Sequence, residues 1–111
     1  MEIKSYQAKG ATVLALAGRI DSQSAPEMDK MARAALEGGA SRLVFDFSGV
    51  GYTSSAGMRV ILNSAKAARA QGGDLFLAGV QLPVEKVLSL AGFTSMIKLF
   101  PDVETALGSF S

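Results

Sequence analysis

Hydrophobic and polar positions switch between two periods along this chain, and each switch marks an element. Residues 11 to 17, ATVLALA, form a short apolar run between Gly10 and Gly18. A run of that length bounded by breakers predicts a buried strand. Ahead of it, Glu2 to Gln7 sets Ile3 and Ser5 against Lys4 and Tyr6 without a clean face, and an edge strand is expected there. The stretch SQSAPEMDKMARAALEGG then changes period, with Ala25, Met28, Met31, Ala32, Ala35 and Leu36 recurring at three- and four-residue intervals. Ser24 with Glu27 three residues on reads as a capping box, Pro26 sits in the permitted first turn, and Gly38-Gly39 supplies the stop.

Residues 42 to 47, RLVFDF, predict a second buried strand ending at a turn signalled by Ser48-Gly49, with Asp46 at the strand end accepting backbone hydrogen bonds from that turn. From Ser55 to Ala70, Met58, Ile61, Leu62, Ala65 and Ala68 alternate with Arg59, Lys66 and Arg69 in an amphipathic pattern that Gln71-Gly72-Gly73 closes. Asp74 to Gly79 predicts a third buried strand. Pro83 to Leu90 predicts a shorter helix with Val84, Val87 and Leu88 inward, stopped by Gly92. A brief strand at Met96 to Leu99 and a last helix through Val103, Ala106 and Leu107, started by Pro101-Asp102, complete the chain. The order β-β-α-β-α-β-α-β-α argues for an α/β fold. One domain spans 1-111: a mostly parallel central sheet of four to five strands, joined by right-handed crossovers, with about four helices packed on it.

Composition narrows the function. A formal net charge of +1, with both signs interspersed, gives no field to attract nucleic acid. No stretch approaches the roughly 20 apolar residues that span a bilayer, and no signal-peptide layout is present. The absence of cysteine fits a reducing interior, and the cytoplasm is the simplest address. The absence of histidine removes the usual base for a serine nucleophile and the commonest neutral metal ligand. No GxxxxGK[ST] loop, GxSxG elbow or metal-ligand spacing occurs, so neither an enzyme nor a metal or cofactor protein is expected.

The segment DFSGVGYTSSAGMRVIL, Asp46 to Leu62, combines an Asp-x-Ser, a central aromatic, a hydroxyl cluster, a glycine and an apolar helix start. It resembles the signature of STAS domains of the anti-sigma factor antagonist type. Leu16-Ala17-Gly18-Arg19-Ile20-Asp21 and Gly72-Gly73-Asp74-Leu75 resemble further elements of that family, so the likeness spans nearly the whole chain. The resemblance implies a partner switch. In it, the unphosphorylated domain binds a serine-kinase anti-sigma factor and so releases a sigma factor, phosphorylation of one serine turns it off, and a PP2C-type phosphatase reverses this. That serine aligns with Ser55, with Ser54 the alternative acceptor. The family pattern has Asp immediately before the phosphorylated serine, where this chain has Ser54. A stand-alone STAS subunit or adaptor of a transporter or signalling complex is the other reading.

A hydroxyl in the first turn of a helix lies beside unsatisfied N–H groups and the positive end of the helix dipole, where a phosphate is tolerated. Thr53-Ser54-Ser55 is equally an ordinary N-cap, and Ser54 can cap while Ser55 carries phosphate. The expected partner surface comprises Asp21, Ser54, Ser55, Gly57, Met58 and Arg59. Asp21 reads as evenly a turn carboxylate or a partner contact, and Gly57 as a site of close packing or partner approach.

Overall fold

The computed structural model describes residues 1–110. Its elements are β1 (Glu2–Ala8), β2 (Ala11–Ile20), α1 (Ala25–Glu37), β3 (Arg42–Thr53), α2 (Ser55–Ala70), β4 (Asp74–Ala78), α3 (Leu82–Leu90), a 3-10 turn (Phe93–Ser95), β5 (Leu99–Phe100) and α4 (Val103–Leu107). The five strands lie in sequence order in one sheet. β1 pairs antiparallel with β2, and every later neighbour is parallel.

Sequential order decides where the helices go. Each crossover from β2 to β5 steps in the same direction across the sheet, so right-handed connections put α1, α2 and α3 on one face. Strand alternation supplies that face: Leu14 and Leu16, Leu43, Phe45 and Phe47, and Leu75 and Leu77 join Met28, Ile61 and Leu88 in one core. The intervening Val13, Val44 and Phe76 point the other way. They are covered by α4 through Ala106, with Phe100 and Phe110 alongside. Phe110 stacks on Phe76 with ring centroids 4.3 Å apart. Burial on both faces explains why these strands read as unbroken apolar runs.

Four local expectations are corrected. Ser48-Gly49 is no turn, because β3 runs on to Thr53 and Asp46 lies within the strand, its Oδ1 accepting from Ser48 N at 3.0 Å. The register moves from Ala15↔Asp46 to Ala17↔Gly49 and from Gly18↔Val50 to Arg19↔Tyr52, so β3 carries one extra residue at each of two bulges. The bulges stretch the inward spacing from two residues (Phe45, Phe47) to three (Val50, Thr53). Gly49 suits the close approach of β2 here, since a Cβ on it would lie 3.0 Å from both Ala17 Cβ and Leu16 O, tighter than ordinary contact. Ser24 forms no capping box; its Oγ serves the preceding turn instead, donating to Arg19 O at 2.8 Å. Val87 is exposed, because α3 turns only Val84 and Leu88 fully inward. The last strand starts at Leu99, after the 3-10 turn that occupies Phe93–Ser95.

Candidate functional site

β2 and β3 end side by side at Ile20↔Thr53, and Ser54 N donates to Ile20 O at 2.8 Å. The chain leaves these adjacent strand ends into α1 and α2, so the turns at Asp21 and at Ser54-Ser55 share one edge. Carboxyl ends of parallel strands are where such loops gather functional groups.

Each turn is built by a side chain that imitates backbone. Ser54 is extended at φ −88°, ψ 174°, and its Oγ accepts from Gly57 N at 3.3 Å while its carbonyl accepts from Met58 N at 3.0 Å. It is therefore the N-cap of α2. Asp21 Oδ1 accepts from Ser24 N and Gln23 N, each at 3.0 Å. Those backbone N–H groups, Ser24 first and Gln23 next, hold the Asp21 carboxyl below the usual carboxylate range. The ionised form is thus built into the turn.

Gly57 lies beneath the surface. A Cβ there would stand 2.4 Å from Ile20 Cγ2 and 2.5 Å from Thr53 Oγ1, so glycine lets α2 sit directly on the β2–β3 ends. Gly57 is buried and shapes this surface from below. Ser55 is exposed, and its hydroxyl has no hydrogen bond among the described residues. Met58 and Arg59 follow at i+3 and i+4, on the same helix face as Ser55. Met58 is half-buried against the core and Arg59 is exposed. Asp21, Ser54, Ser55, Met58 and Arg59 are thus brought to one end of the fold.

Two features escaped the sequence reading. The Arg19 guanidinium sits 4.1 Å from the centroid of the Tyr52 ring, both residues being exposed. Arg19 pairs with Tyr52 one position before Ile20↔Thr53, so alternation turns this stack to the opposite face of the same strand ends. Both residues belong to the recognised motifs, but only strand register brings them together. A groove also runs between α1 and α2, lined by Ser22, Pro26, Ala56, Arg59 and Asn63, with the Asp29–Arg33 ion pair at 2.7 Å on its wall. Among the described residues no helix is long and apolar enough to cross a membrane.

Known proteins bear on this arrangement. BtrV of Bordetella bronchiseptica, by name a candidate anti-sigma factor antagonist, is 30% identical over 110 residues, covering 99% of this chain and 95% of that protein. An anti-sigma factor antagonist from Mycobacterium paratuberculosis superposes with a TM-score of 0.88 at 21% identity, over 97% of this chain and 92% of that one. The antagonist SpoIIAA superposes in its unphosphorylated form with a TM-score of 0.83 at 18% identity, over 96% and 93% of the two chains. Its phosphorylated Bacillus form gives 0.76 at 16% identity, over 96% and 97%. Residues 2–106 match the STAS domain as a family, and with that match covering nearly the whole chain, this protein belongs to the STAS domain family.

Proposed function

We propose that this protein is an anti-sigma factor antagonist: unphosphorylated, it binds a serine-kinase anti-sigma factor and thereby releases a sigma factor, and phosphorylation of Ser55 ends that binding. The observation that carries the reading is the Ser55 hydroxyl, exposed and unbonded in the first turn of α2, beside a cap already supplied by Ser54. A phosphate on Ser55 costs the fold little, since it replaces no internal contact and meets the positive end of the helix dipole. On a docking surface it is costly, because about −1.5 to −2 of charge must be desolvated against the partner. SpoIIAA, which shares this fold, is known in phosphorylated and unphosphorylated forms, in keeping with reversible modification. Asp21, Ser54, Ser55, Met58 and Arg59 form the proposed docking edge, with Gly57 as the packing that holds it level. The reading calls for a PP2C-type phosphatase to restore the active form, and for a cytoplasmic setting.

The test is copurification from native cells of wild type, Ser55→Ala and Ser55→Asp, with mass-spectrometric identification of bound proteins and phosphosites. A kinase-like ATPase retained by the first two and lost from Ser55→Asp, with phosphate on Ser55, supports the switch. A transporter or scaffold bound equally by all three, with Ser55 unmodified, refutes it in favour of a STAS subunit or adaptor role.

A further inference from the structure

We infer that Arg59 is the intramolecular receiver of a phosphate on Ser55, so that modification both adds charge to the docking edge and withdraws a cation from it; this rests on the reading of Ser55 as the acceptor. Arg59 lies at i+4 from Ser55 on α2, one turn along the same face. Side chains on a helix lean toward its N-terminus, so the patch an arginine covers lies over the preceding turn, here the turn holding Ser55. Both residues are exposed, which leaves a phosphate and a guanidinium free to meet.

The surroundings leave Arg59 available. Among the described residues it has no ion-pair or hydrogen-bond partner. Two carboxylates beside this edge, Asp29 and Asp21, are already engaged. Asp29, on the wall of the groove that Arg59 also lines, pairs with Arg33 at 2.7 Å, and Asp21 accepts from Ser24 N and Gln23 N. Arg19 is held over Tyr52, turned to the other face of the strand ends. Of the charged groups around this edge, Arg59 is thus the one placed to answer a new anion on Ser55. A guanidinium also presents paired donors that match phosphate oxygens, which an ammonium does not.

The chemistry has a consequence for mimicry. An aspartate at position 55 is shorter and carries one charge, so it engages Arg59 more weakly than phosphoserine does. Ser55→Asp is then an incomplete imitation of the modified state.

The experiment installs phosphoserine at position 55 during synthesis and follows its 31P resonance against pH in three backgrounds: native Arg59, Arg59→Gln and Arg59→Lys. With Arg59 present, the second ionisation of the phosphate should lie about 0.3 to 0.7 pH units below that in Arg59→Gln, with Arg59→Lys between them. The gap should shrink as salt is added. Identical titrations with Arg59 and with Gln overturn the inference. Because the phosphate is placed chemically, this outcome is independent of whether any cellular kinase uses Ser55, which phosphosite mapping decides separately.

Discussion

Gly57→Ala pits local preference against tertiary packing. In an isolated helix the change is favourable by about 0.5 to 1 kcal/mol, because alanine loses less backbone entropy than glycine. In this fold the added methyl would stand 2.4 Å from Ile20 Cγ2 and 2.5 Å from Thr53 Oγ1. Neither neighbour yields easily. Ile20 is fully buried and Thr53 nearly so, and both are β-branched with stiff χ1 rotamers. Contacts this short place the overpacking cost in the upper part of its range, about 2 to 3 kcal/mol, so the net expectation after the helix gain is a loss of roughly 1 to 2 kcal/mol. For a domain of this size that lowers Tm on the order of 4 to 8 °C. Urea and thermal unfolding of Gly57→Ala would be compared with Gly51→Ala, whose Cβ meets nothing nearer than Gln81 Oε1 at 4.0 Å. A Gly57→Ala protein as stable as wild type, or more so, would show that α2 does not rest on the strand ends as described. A real loss should also weaken partner capture, since relief of the clash lifts the first turn of α2 and Ser55 with it.

Further outcomes follow from neighbouring contacts. Ser54→Ala should cost about 1 kcal/mol through loss of the cap on Gly57 N, while Ser55→Ala should change the urea midpoint by less than about 0.5 kcal/mol equivalent. Equal effects would contradict the division of labour between the two serines. Gly73→Ala should be severe, on the order of 3 kcal/mol or more, because its Cβ would fall on the Ser41 carbonyl that also accepts from Asp74 N at 2.9 Å. A near-native thermal melt would rule that packing out. The Asp21 carboxyl is depressed in the folded state, so its contribution is full above its ordinary pKa, near pH 4, and is lost as pH falls through the lower folded value. Carboxyl 13C titration should place Asp21 below a reference peptide, and Asp21→Asn should lose less stability than wild type between neutral pH and the acid limb.

The order of elements and the span of α2 were legible in the chain because long amphipathic periods and glycine stops are local signals. The start of α1 was legible too, but for a different reason than Ser24 and Glu27 suggest. Asp21 organises that turn, and Ser24 Oγ is spent on it, a competition between nearby acceptors that spacing does not resolve. Ser48-Gly49 was read as a turn and proves to be a bulge within β3. Whether an irregularity becomes a turn or a bulge depends on the partner strand, and β2 continues alongside it to Ile20. Val87 faces solvent because α3 meets the core over a narrow stripe, whose width is set by what it packs on.

For the site, the motif from Asp46 to Leu62 named Ser54 and Ser55 as a pair, and hydroxyls at a helix start carry that meaning locally. The division between a capping Ser54 and an open Ser55 was one of the readings the motif allowed; the cap bond itself, Ser54 Oγ accepting from Gly57 N, is seen only in the fold. The approach of Asp21 to Ser54, the stacking of Arg19 on Tyr52 and the need for glycine at position 57 are also tertiary facts. Each joins residues roughly 30 or more positions apart through the parallel register of β2 and β3. The sequence by itself determined the alternation of strands and helices, because hydrophobic period and breakers act within a few residues. The tertiary structure alone decided which side chains meet at the strand ends, because register and helix seating are settled by packing across the sheet.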